Sequence, residues 1–170
     1  MPMRKMVLSI LVENTFGVLS RVAGLFSRRG YNIDSLTVGE TENAEYSRMT
    51  VVATGDEQIL DQIKKQLAKL EDVKEIKELV PNQSVCRELI LVKVAVTPAE
   101  RQSVISIADI FRAKIVDVAP DSLMVELTGN EAKLAAFVQL LEGYTIKEIA
   151  RTGITGLSRG AGDLGEYIDD

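Results

Sequence analysis

Thr54-Gly55-Asp56-Glu57 opens a run with apolar residues at Ile59, Leu60, Ile63, Leu67 and Leu70. Seventy-four residues on, Thr128-Gly129-Asn130-Glu131 opens another with Leu134, Phe137, Val138 and Leu141. Both runs have helical period. In each copy the glycine ends a strand, Asp56 or Asn130 is placed to cap the helix, and Glu57 or Glu131 suits its positive end. Lys-Glu-Ile then follows each run, at 74–76 and again at 147–149, an offset of 73 residues. Two separate markers that keep nearly one spacing make this chain a tandem repeat.

The flanking segments fill in each copy. Met6-Val7-Leu8-Ser9-Ile10-Leu11-Val12 is a nearly continuous apolar run bounded by polar residues, which reads as a buried strand. Val18, Leu19, Val22, Leu25 and Phe26 then fall at helical spacing, with Arg21, Arg28 and Arg29 on the other face and Gly30 to end the helix. The first half predicts strands near 5–12, 32–39, 46–54 and 73–79, with helices near 17–29 and 56–70. The second half predicts strands near 88–96, 113–119, 122–128 and 146–152, with helices near 99–112 and 131–142. There Thr97-Pro98-Ala99-Glu100 supplies a cap and a proline at the first helical position. Both halves read βαββαβ, the α+β sandwich of a ferredoxin-like fold, with helices on one sheet face. The expected domains are 4–80 and 86–160, joined through Val80-Pro81-Asn82-Gln83-Ser84 with Cys86 in the linker, and a flexible acidic tail at 161–170. Modules of about 80 residues have marginal cores, so association with another chain is expected.

Composition narrows the chemistry. The 170 residues include no histidine, which removes Ser-His-Asp and Cys-His activation, His-x-x-x-His zinc sites and the usual neutral-pH base. No catalytic residues and no metal ligands are assigned. Cys86 is the only cysteine, so no intramolecular disulfide forms and a reducing compartment, the cytoplasm, is expected. A net charge of −5, four Tyr, four Phe and no Trp argue against a nucleic-acid partner. The apolar stretch after Met1-Pro2-Met3-Arg4-Lys5 is too short to span a membrane, and no membrane partner is expected.

Asn14-Thr15-Phe16-Gly17, between the first strand and the first helix, has two readings. In the first, Asn14 or Thr15 simply caps the helix while Gly17 relieves crowding. Alternatively, free N–H groups at the positive helix end accept a carboxylate or phosphate, with no side chain on Gly17 to block it. Asn32 is open in the same way, either as loop chemistry after Gly30-Tyr31 or as a ligand contact. Gly153, Gly156, Gly160, Gly162 and Gly165 predict a flexible segment from 151 to 165, either a mobile tail or a partner-docking element. It lacks the Gly-Lys-Ser/Thr of a phosphate loop.

Several of these stretches together resemble one family. They are Glu13-Asn14-x-x-Gly17-Val18-Leu19-Ser20-Arg21, Phe26-Ser27-Arg28-Arg29-Gly30-Tyr31-Asn32-Ile33-Asp34-Ser35-Leu36-Thr37-Val38 and Ser47-Arg48-Met49-Thr50. Phe111-Arg112-Ala113-Lys114-Ile115-Val116-Asp117-Val118 and Arg151-Thr152-Gly153-Ile154-Thr155-Gly156-Leu157-Ser158-Arg159-Gly160 continue it. The combination is similar to the regulatory small subunit of acetolactate synthase (acetohydroxyacid synthase) over nearly the whole chain. The resemblance implies an N-terminal ACT domain, a homodimer through ACT domains joined side by side, and a catalytic large subunit as partner. Thiamine diphosphate, Mg²⁺ and FAD would sit on that partner, with no cofactor on this chain. It further implies enhanced activity of the partner and feedback inhibition by a branched-chain amino acid, valine first. Carried onto this sequence, the Asn14 amide and the N–H groups of Gly17, Val18 and Leu19 would hold the effector's carboxylate and amine. Asn32 and Ile33 of a second protomer would close the site, and the effector side chain would rest near Leu11 and Val18. Two alternatives stand beside it: a stand-alone amino-acid-sensing or assembly module, and an acylphosphatase-like hydrolase. The hydrolase is disfavoured because no arginine occupies the first turn after strand one.

Overall fold

The computed structural model describes residues 2–161, with nine strands and four α-helices among them. The first unit runs β1 (Arg4–Glu13), α1 (Val18–Arg29), β2 (Ile33–Glu40), β3 (Tyr46–Gly55), α2 (Glu57–Ala68) and β4 (Val73–Glu78). The second runs β5 (Ser84–Ala95), α3 (Pro98–Ile110), β6 (Lys114–Ala119), β7 (Ser122–Gly129), α4 (Glu131–Leu140) and β8 (Thr145–Arg151), and β9 (Thr155–Ser158) follows. Both units are βαββαβ, as the repeat predicts. Each element lies within a few residues of its expected span, with the largest difference at the start of β5.

The sheets are antiparallel and share one topology, β2-β3-β1-β4 in the first unit and β6-β7-β5-β8 in the second. Alternation decides which strand residues enter the core. In the first unit Met6, Leu8, Ile10 and Val12 of β1 and Met49, Val51 and Ala53 of β3 face the helices. Val18, Val22, Leu25 and Phe26 of α1 and Leu60, Ile63 and Leu67 of α2 meet them. Ile90, Val92, Val94, Leu123, Val125, Leu134 and Phe137 repeat the arrangement in the second unit. Phe26 and Phe137 are each almost wholly buried. Truncating either to alanine costs about 3–5 kcal/mol, because the cavity adds to the lost transfer free energy.

The capping chemistry of the repeat is present. The side chains of Asp56 and Asn130 accept from the backbone N–H groups of Ile59 and Lys133, each at 2.9 Å. Gly30 closes α1 in the left-handed region, at φ 68°.

Two expectations are corrected. Cys86 lies inside β5 rather than in a linker, because a short 3₁₀ turn at Pro81–Gln83 feeds directly into that strand. The glycine-rich segment is not flexible throughout, since Thr155–Ser158 forms β9 and pairs with β5. Its residues from Ile154 group with the first unit, which otherwise ends at Cys86, and residues 87–153 form the second. Gly156 permits this approach: a Cβ there would stand 2.6 Å from Cys86 Sγ and 2.8 Å from the Val85 carbonyl oxygen. The part of the expected acidic tail at 162–170 lies outside the described residues.

Candidate functional site

The turn from β1 into α1 is fastened from behind and open in front. The Glu13 N–H donates to the Asp72 carbonyl oxygen (2.9 Å) and the Asn14 N–H to that of Glu45 (2.8 Å). Asn14 Nδ2 donates to the Ala44 carbonyl oxygen (3.0 Å) and to Glu40 Oε1 (3.2 Å), both on the hairpin between β2 and β3. The amide nitrogen is therefore committed to the protein. Asn14 Oδ1 has no donor among the described residues and is left to accept, which suits an ammonium group.

Gly17 stands at the N-cap of α1 with φ 87° and no side chain caps the helix. Neither Asn14 nor Thr15 caps it, so that reading of the sequence is set aside. The first intrahelical bond runs from the Arg21 N–H to the Gly17 carbonyl oxygen (3.0 Å), which leaves the amides of Val18, Leu19 and Ser20 without helical acceptors. These donors lie at the positive end of the helix dipole, an environment for a carboxylate. Phe16 is fully exposed and Leu19 about half exposed, so apolar surface borders the turn. Leu11 and Val18 are both only 4% exposed, so Val18 offers its backbone N–H rather than its side chain.

Arg21 frames the turn. Its guanidinium binds both carboxylate oxygens of Asp72, through Nε and Nη2, and Nη2 also reaches the Phe16 carbonyl oxygen at 3.5 Å. The hydrogen bonding between Arg21 and Asp72 is the chief reason the Asp72 carboxyl lies below the usual carboxylate range and the Arg21 guanidinium above its own. Lys74 pairs with Glu13 at 2.8 Å beside them. Among the described residues no three His, Cys, Asp or Glu side chains cluster as metal ligands.

Asn32 and Ile33 lie elsewhere. Asn32 Nδ2 donates to Asp34 Oδ1 at 3.0 Å, and Asp34 also accepts from Thr54. Ile33 is paired with Ala53, which is paired with Met6, whereas Glu13 is paired with Tyr46 at the other end of the same sheet. Seven residues of strand, about 24 Å, separate those ends. The structure thus brings Asn14, Gly17, Val18 and Leu19 into one turn and leaves Asn32 and Ile33 at the far end of the sheet, where Ile33 opens the edge strand β2 and Asn32 immediately precedes it.

Comparison with known proteins matches this architecture. Residues 8–75 match the family described as the AHAS small subunit-like ACT domain, and residues 87–160 match the small subunit of acetolactate synthase. The chain belongs to the acetolactate synthase small-subunit family. It is 53% identical over 156 residues to a probable acetolactate synthase small subunit of Methanothermobacter thermautotrophicus, covering 91% of this chain and 93% of that one. The acetolactate synthase isozyme 3 small subunit of Salmonella typhimurium is 49% identical over 155 residues, 91% of this chain and 95% of its own. The crystal structure of the small subunit from Thermotoga maritima superposes with a TM-score of 0.85 at 40% identity, covering 93% of this chain and 99% of that one. As in those small subunits the relation spans both units, so the ACT-like ferredoxin fold of the first unit belongs to a two-unit protein. Among the described residues no helix is long and apolar enough to cross a membrane.

Sequence reasoning singled out the turn but not the side chains that hold it. Glu40 and Ala44 carry no local signal, since they meet Asn14 only through the β2–β3 hairpin. Asp72 is 51 residues from Arg21 and equally silent.

Proposed function

We propose that this chain is the regulatory subunit of an acetolactate synthase. It binds the catalytic large subunit, raises its activity and confers feedback inhibition by a branched-chain amino acid, with valine the first candidate. The observation that carries the effector site is the separation of its two halves. A single sheet holds Asn14 and Asn32 about 24 Å apart, so one chain cannot close both on a small ligand. Two copies joined antiparallel through their edge strands β2 set the start of one β2 beside the end of the other. Ile33 is at the start with Asn32 just before it, and Glu40, which holds Asn14, is at the end. The site is then composed of Asn14, Gly17, Val18 and Leu19 of one protomer with Asn32 and Ile33 of the second, and a homodimer presents two such seams.

In this reading the amides of the α1 turn take the effector's carboxylate and Asn14 Oδ1 takes its ammonium. Phe16 and Leu19 border the branched side chain. Thiamine diphosphate, Mg²⁺ and FAD belong to the catalytic partner, and the site of action is the cytoplasm. A sensor of a cellular metabolite works with a Kd between about 1 μM and 1 mM, roughly 8 to 4 kcal/mol of binding. A few charge-assisted hydrogen bonds and one buried aliphatic side chain supply that range.

The test is calorimetric titration of valine, leucine and isoleucine into the purified chain and into its reconstituted complex with a catalytic subunit. Saturable binding at no more than one ligand per chain, with inhibition of the complex, is expected. No binding by any of the three to either preparation overturns the proposal.

A further inference from the structure

Arg21 is spent unevenly. Nε and Nη2 are engaged by Asp72, and Nη2 also by the Phe16 carbonyl oxygen, whereas Nη1 has no acceptor among the described residues. Nη1 lies directly over Gly17. A Cβ built on that glycine would stand 2.9 Å from Nη1 and 3.7 Å from the guanidinium carbon. Gly17 therefore does two things at once: it takes a backbone conformation that side chains disfavour, and it leaves the space that the guanidinium occupies. A planar guanidinium fixed on one edge by a carboxylate presents its remaining N–H groups in a set direction, which a lysine ammonium cannot do.

We propose that Arg21 is a specificity-determining residue of the effector site, with Nη1 donating to the effector's α-carboxylate, and that Asp72 is the positioning residue that aims it. This rests on the amino-acid-sensing reading above and adds to it a side-chain cation selective for the carboxylate. The bidentate pair holds the guanidinium across the turn in the absence of ligand, so no rotamer has to be chosen when the ligand arrives. Asp72 in turn is anchored by its own backbone, whose carbonyl oxygen accepts from the Glu13 N–H at the end of β1. The cation and the Asn14 acceptor are thereby tied to the same strand end. They divide the two charges of a free amino acid between them, Arg21 reading the carboxylate and Asn14 Oδ1 the ammonium.

The test compares valine with valinamide, which keeps the ammonium and the branched side chain but lacks the carboxylate. Both are titrated into the complete complex bearing wild-type, Arg21→Gln or Arg21→Lys subunit, with thermal unfolding to confirm that each variant is folded. Arg21→Gln keeps a donor for Asp72, and Arg21→Lys keeps the positive charge. The expected result is a loss of valine affinity of about 10-fold or more in both variants, with valinamide affinity unchanged, so that preference for the carboxylate collapses. Equal valine affinity in folded variants overturns the proposal. So does a parallel loss for valine and valinamide, which marks the Arg21–Asp72 pair as a structural tie alone. Failure of the wild-type complex to bind any branched-chain amino acid overturns the sensing reading and this proposal together, an outcome distinct from either of those.

Discussion

The two units begin their first helices in opposite ways. At the head of α1, Gly17 takes a left-handed conformation and no side chain caps the helix. At the head of α3, in the same topological position, Thr97 accepts from the Glu100 N–H and Glu100 returns a bond to the Thr97 N–H, with Pro98 in the first turn. One helix end has its donors satisfied by its own chain and the other leaves them for something else. Within a repeated fold, then, the first unit leaves the head of its first helix uncapped, and the second closes the same position with its own side chains.

The largest expected effect comes from filling the open end. Gly17→Asp adds a Cβ in the path of the Arg21 guanidinium and a negative charge where the effector's carboxylate belongs. Loss of detectable valine inhibition in the complex is expected, and retained inhibition would place the anion site elsewhere. Next is Asn14→Ala, which removes the acceptor held out by Glu40 and Ala44. A weakening of about 10- to 100-fold in valine affinity, with subunit association intact, is expected by titration. Breaking the closed end instead should leave sensing alone. Thr97→Ala costs about 1 kcal/mol of stability in denaturant unfolding through loss of the capping box and leaves valine affinity unchanged. A change in affinity would show that the second unit's helix end takes part in binding after all.

The smallest effect is that of pH. The chain has no histidine. The Asp72 carboxyl is held below its ordinary range chiefly by the hydrogen bond from Arg21, so what the pair contributes is complete above about pH 4 and is lost as pH falls through the lowered value. Valine affinity measured between about pH 5.5 and 7.5 is therefore expected to vary less than about twofold. A titration step near pH 6.5 would mean that a partner residue with such a pKa enters the site.

Much of the fold was legible because its signals are local. Helical and strand periods, Asp56, Thr97 and Asn130 at helix starts and Gly30 at a helix end each act within a few residues, and the repeat checks each reading against its counterpart. The short strand β9 was not legible, because its inward positions are Gly156 and the half-buried Ser158 while Leu157 is exposed, so its alternation carries no apolar signal, and its pairing with β5 spans some 70 residues of chain. At the candidate site the same division holds. Gly17 was visible as a glycine at the strand-to-helix turn with no side chain to block an anion, but its neighbours Asp72, Glu40 and Ala44 arrive from other strands and hairpins. The sequence also could not say that Asn14 and Asn32 lie at opposite ends of the sheet. That follows from register, which cross-strand pairing sets.

The return of β9 bears on how this protein can be taken apart. The chain leaves the first unit at Cys86 and rejoins it at Ile154. There Thr37 Oγ1 donates to the Ile154 carbonyl oxygen (3.3 Å), Lys77 Nζ reaches Ser158 Oγ (3.2 Å), and the Arg159 N–H donates to the Gln83 carbonyl oxygen (2.8 Å). In connectivity the second unit is an insertion, and a fragment ending at Cys86 would lack the returning segment that these bonds hold. The faithful minimal form of the first unit is the discontinuous one, residues 2–86 and 154–161 rejoined by a linker.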